Sequence, residues 1–214
     1  MDITLVILLI VIVAVLVSMV GFFARLAYRK DTRRLAKQLN LKIGFFGGIT
    51  GTYRDYDVTI EPGTPLRILV HYRPPYVSPQ IMDINLWLLR KGLPLPWDAP
   101  TSPDDPEPSP SEKLSGLDPI FDRQFEIWSR PPDFGQQAFK QQQKIGSRLA
   151  KSNLQHIEVN WLFTGLSCLT DLRVRGLEAD ILQRNLDLAI DLAELIQQES
   201  TEYLMTHPTG MPMF

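Results

Sequence analysis

The residues best suited to covalent or acid–base chemistry lie in the last third of the chain. Cys168 is the sole cysteine, His156 lies upstream of it, and Asp171 follows three residues later. A thiolate nucleophile needs a base within hydrogen-bonding reach and a third group to orient that base, so these residue types invite a Cys–His–Asp site. Closeness in sequence is not geometry, and Cys168 sits among apolar neighbours, where a small core residue is the ordinary reading. Gly165-Leu166-Ser167-Cys168-Leu169 approaches the G-x-S-x-G elbow, but Leu169 replaces the final glycine, and the setting is a hairpin rather than a strand–turn–helix. His156-Ile157-Glu158 matches the H-x-E of zinc deaminases without their P-C-x-x-C partner. Asp118 and Asp122 flank an element entry, where Asp118 before Pro119 reads as a turn former.

No HExxH, CxxC or calcium-loop pattern occurs, so no metal, cofactor or catalytic residue is assigned. A single cysteine also excludes a disulfide framework. Gly44, Gly47, Gly48 and Gly51 raise a phosphate-loop reading, but no Lys-Ser/Thr follows at the required spacing. Glycines between short strands ordinarily serve turns and bulges. A non-catalytic role is therefore favoured over an enzyme, with a site near Cys168, His156 and Asp171 as the alternative.

The elements that would position these residues alternate in pattern. Tyr56–Ile60 and Leu66–Tyr72 alternate apolar and polar residues around the turn signal Glu61-Pro62-Gly63-Thr64-Pro65, which predicts an antiparallel meander. Met82–Arg90 reads as a further strand. Leu117–Trp128 reads as a half-buried strand, because Phe121, Phe125 and Ile127 share one parity. Residues 134–150 carry apolar positions at helical spacing, and residues 156–174 read as a hairpin turning near Thr164-Gly165. Leu182, Leu186, Ala189, Ala193 and Ile196 form one helical stripe opposite Asp180, Arg184, Asp187, Asp191 and Glu194. Strands followed by a helix, then a hairpin and a helix, predict an α+β domain with an antiparallel sheet and two covering helices.

The amino terminus has a different character. Residues 3–24 carry no charge, and 22 residues of helix reach roughly 33 Å, enough for a ~30 Å hydrocarbon core. The n-region is only Met1-Asp2 and no small-x-small cleavage site follows, so an uncleaved transmembrane helix is predicted rather than a signal peptide. Arg25, Arg29, Lys30, Arg33, Arg34 and Lys37 follow it within a basic juxtamembrane helix over 25–41. These side chains suit anionic headgroups and place the carboxyl-terminal domain in the cytoplasm, with the amino terminus outside the inner membrane. The net charge of −2 hides this split, because the remainder of the chain is acidic. That remainder gives nucleic acid no attraction, so none is expected as a partner.

The domain is expected over 42–200, followed by a tail over 201–214. Within it, residues 92–116 form a proline-rich acidic loop, where prolines remove backbone donors and forbid regular pairing. With 44% hydrophobic residues, the chain as a whole is not disordered.

Leu35-Ala36-x-x-Leu39-x-Leu41, then Gly47-Gly48-x-x-Gly51-x-Tyr53-Arg54, then Asp118-Pro119-x-Phe121-Asp122-Arg123-x-Phe125, and the closing Leu186–Leu195 resemble a family of uncharacterised prokaryotic single-pass membrane-anchored proteins. The resemblance covers about residues 35–61 and 117–196 and implies topology without activity. Together these features predict a membrane-anchored interaction or structural module, its partners being the lipid bilayer and a protein or a second copy of itself.

Overall fold

The computed structural model describes residues 29–44, 47–63, 65–72, 84–93, 112–117, 119–140, 142–160, 165–174 and 176–206. Helix α1 is described over 29–38 and stops at Asn40, whose φ of 56° is left-handed. The Leu41 N–H then donates back to the Ala36 carbonyl at 2.8 Å, and that of Asn40 to Lys37 at 3.2 Å. This pair of bonds satisfies carbonyls that a helix end otherwise leaves open.

Strands β1 (Lys42–Ile43), β2 (Ile49–Tyr53), β3 (Tyr56–Glu61) and β4 (Leu66–His71) follow as an antiparallel meander. Arg54 and Asp55, with φ of 47° and 65°, make the two-residue turn between β2 and β3, the hand that matches strand twist. Next come β5 (Asn85–Arg90), β6 (Glu112–Lys113), α2 (Pro119–Gln124), β7 (Phe125–Arg130), α3 (Pro132–Phe139), α4 (Gln143–Ala150), β8 (Leu154–Asn160), β9 (Gly165–Thr170) and α5 (Ala179–Thr206). All nine strands join one sheet in the order β1-β2-β3-β4-β9-β8-β5-β7-β6, and every pairing is antiparallel. The β8–β9 hairpin is thus inserted between β4 and β5.

One face of the sheet forms the core. Val58, Ile60, Ile68, Val70, Leu86, Leu88, Ile127, Ile157, Val159, Leu166 and Cys168 are buried there with the apolar residues of the helices. Helix α5 supplies the predicted stripe, with Leu182, Leu186, Ala189, Ala193 and Ile196 all fully buried. It buries Leu188, Ile190 and Leu192 as well, so its middle is enclosed on more than one side.

Three expectations are corrected. The fold of one transmembrane helix followed by a sheet with two covering helices does not stand. Among the described residues no helix is long and apolar enough to cross a membrane, and five helices are present rather than two. The span 3–24 lies outside the described residues. The single strand read over 117–128 is α2 followed by β7, because Pro119 starts a helical turn that buries Phe121 against α4 before the chain extends. The single helix read over 134–150 is two, α3 and α4, separated at 140–142. Of the proline-rich segment, 94–111 lies outside the described residues, and β6 occupies part of the remainder.

Candidate functional site

The predicted Cys–His–Asp group is taken apart by strand parity. Cys168 lies on the core face of β9 with no exposed surface, and burial alone pushes its thiol well above the usual range. His156 points to the opposite face of the sheet, because its register partners are Leu89 and Leu169, whereas Cys168 pairs with Ile157 and Ile68. Asp171 is exposed beyond the end of β9. A sheet therefore separates thiol from imidazole, and no nucleophile–base pair forms. Asp122 is half-buried in α2, where its carbonyl accepts from Lys91 Nζ. Asp118 lies outside the described residues. Among the described residues no group of three or more His, Cys, Asp or Glu side chains is placed to hold a metal ion.

The side chains that do gather stand on the second face of the sheet, away from the helices. Because register is antiparallel throughout, one residue from each strand falls into a row across it: Lys42, Thr50, Thr59, Leu69, Ser167, Glu158, Trp87, Trp128 and Lys113. Trp87 and Trp128 are direct partners in this row. The His156 ring stacks on Trp87, with centroids 5.3 Å apart and planes 14° from parallel. Lys113 Nζ stands 5.9 Å from the Trp128 ring centroid, within reach of the ring's negative face. Leu89 and Leu169 adjoin His156 in the next row.

Both tryptophans and Leu69 and Leu169 retain partial exposure. A paired tryptophan platform with charges at its rim, Arg67 and Lys113 among them, is the composition of a protein-docking surface. Sequence parity carried the signal. Trp87 alternates with buried Leu86 and Leu88, and Trp128 shares parity with Gln124 and Glu126, so each is a large aromatic on a polar face. What parity could not supply was the partnership of two strands far apart in the chain.

The basic residues predicted to meet the membrane are divided cleanly on α1. Arg29, Lys30, Arg33, Arg34 and Lys37 are exposed, whereas Thr32, Leu35, Ala36 and Leu39 are buried against the domain. The spacing i, i+1, i+4, i+5, i+8 keeps the cations on one helical face. Arg34 also donates from Nη2 to the Leu177 carbonyl at 2.8 Å, which ties α1 to the segment before α5. Arg25 lies outside the described residues.

Comparison with known proteins adds little. No protein-family model matches the chain. No curated protein matches it. Among solved structures, the mycobacterial trehalose monomycolate transport factor A, TtfA, is similar at 12% identity and a TM-score of 0.49, over 80% of this chain and 93% of that one. A likeness at that level carries no argument about this chain.

Proposed function

We propose that this protein is a membrane-attached interaction module. The uncharged run 3–24 holds it at the inner membrane, with the domain on the cytoplasmic side. The basic face of α1 rests on anionic headgroups, and the face of the sheet opposite the described helices docks a protein partner. The observation that carries the docking reading is the direct pairing of partly exposed Trp87 and Trp128 on the face opposite Cys168, beside buried Leu89 and His156. Tryptophans are over-represented among residues that dominate binding energy. The attachment reading is supported by the length of the uncharged run and by five cations on one exposed helical face.

The test is native purification of the full chain from mild-detergent extracts, in parallel with the Trp87→Thr/Trp128→Thr variant. Threonine keeps strand propensity and leaves the core face untouched. A partner recovered near stoichiometry with wild type and lost with a variant of unchanged thermal stability supports the reading. Identical recovery from both proteins refutes the sheet face as the docking surface.

A further inference from the structure

We propose that the cleft between α4 and α5 binds a phosphate monoester through Arg148, Lys151 and Arg184. The cleft has a volume of about 390 Å³ and lies where the end of α4, the connection to β8 and the first turns of α5 meet. That size falls within the range of roughly 300–1,000 Å³ typical of small-ligand sites. The proposal stands apart from the sheet face, which lies on the opposite side of the core.

Charge decides the class of ligand. Three cations line the cleft against one carboxylate, Asp187. That carboxylate is already engaged, accepting from Tyr53 Oη at 3.2 Å and lying 3.7 Å from the Arg54 guanidinium. Arg148 is fixed in place by its ion pair with Asp191. Lys151 has no ion-pair partner among the described residues, and neither do the terminal nitrogens of Arg184, whose Nε donates to the Asp180 carbonyl. The surplus of two positive charges matches a dianion, and guanidinium forks match phosphate oxygens.

The end of a helix would ordinarily repel an anion, because its last carbonyls carry partial negative charge. Arg90 offsets part of that charge here by engaging the Leu149 carbonyl of α4 and two carbonyls just beyond the helix. Its Nη2 donates to Leu149 O at 3.0 Å and to Ser152 O at 3.1 Å, and its Nε to Leu154 O at 3.2 Å. The polar floor is likewise preset. Asn185 is buried, accepts from the Asn153 N–H at 3.1 Å and donates to the Ile181 carbonyl at 2.8 Å. The side chains of Ile181 and Leu188 give an organic group an apolar wall beside the charges.

The test uses the full chain in phosphatidylcholine nanodiscs, titrated with glycerol 3-phosphate in a calorimeter at matched ionic strength. Saturable binding is expected, weakened at least about tenfold in Lys151→Gln/Arg184→Gln. Both side chains are exposed, so the thermal midpoint should not move. A second arm adds phosphatidic acid to the disc. Loss of free-ester binding there identifies a lipid headgroup as the occupant, and retained binding identifies a soluble ester; either supports the cleft. The absence of saturable binding in phosphatidylcholine discs, or equal binding by wild type and the double variant, overturns the proposal. The Trp87→Thr/Trp128→Thr protein should bind the ester normally, which separates failure of this proposal from failure of the docking reading.

Discussion

Asp191 of α5 holds Arg54 of the β2–β3 turn at 2.7 Å through one carboxylate oxygen and Arg148 of α4 through the other. One side chain thus joins three elements that are distant in sequence. Arg54 also reaches Glu194 at 3.6 Å, so the charged stripe of α5, opposite its apolar one, is a clamp on the meander. Asp191→Asn weakens both ion pairs at once. Exposed pairs are each worth about 0.2–1 kcal/mol, and with two lost together the expected cost is about 0.4–2 kcal/mol. Urea unfolding measures it, and a double-mutant cycle with Arg54→Gln should show a coupling well above zero.

Gly135 sets two effects against each other. It lies inside α3, where alanine is ordinarily better by roughly 0.5–1 kcal/mol. Yet a Cβ at this position would stand 2.5 Å from Ser129 Cβ and 2.6 Å from Leu114 Cδ1. Close approach of α3 to β7 depends on the missing side chain. Gly135→Ala is therefore expected to destabilise by about 1–3 kcal/mol, and the sign of the change in unfolding midpoint decides between the two effects.

Tyr203 gives the fold an alkaline limit. Burial, then the hydrogen bond to Asp133 at 2.8 Å and its charge, raise the phenol from 10.0 to about 12. A pKa raised on folding contributes stability that is whole below the unfolded value and is lost as pH climbs through the folded one. The advantage of wild type over Tyr203→Phe should therefore hold up to about pH 10 and shrink toward pH 12. Denaturant titrations of both proteins across that interval provide the measurement.

Cys168 should behave as core, not as a nucleophile. Its thiol has no exposed surface, and burial holds it protonated. An aromatic disulfide reagent should leave the native protein unmodified over hours at neutral pH and titrate one thiol per chain in urea. Rapid labelling of the native state would show that the site opens.

The sequence made local features legible and left non-local ones hidden. The alternation in Tyr56–Ile60 and Leu66–Tyr72, and the stripe from Leu182 to Ile196, each lie within one element, and each appears where its period placed it. The α2–β7 junction misled because Phe121, Phe125 and Ile127 keep even spacing across a helical turn and a strand alike. The break at 140–142 was masked by apolar residues that continue on its far side. Neither the insertion of β8–β9 between β4 and β5 nor the meeting of Trp87 with Trp128 is encoded in any short window. The proposed chemical site failed for a simpler reason: Cys168 and His156 differ in the face they present, and a bulge between Leu154 and His156 sits in the strand that carries the histidine.

The docking role of the sheet face is tested most directly by photo-crosslinking in intact cells. A benzophenone amino acid replaces Trp87 or Trp128 in separate full-length chains, and Gln198 or Glu202 on the exposed side of α5 in controls. The expected result is one discrete protein adduct, the same from both sheet positions and absent from both helix positions. Adducts that do not differ between the two surfaces, or none from the sheet, would contradict the account.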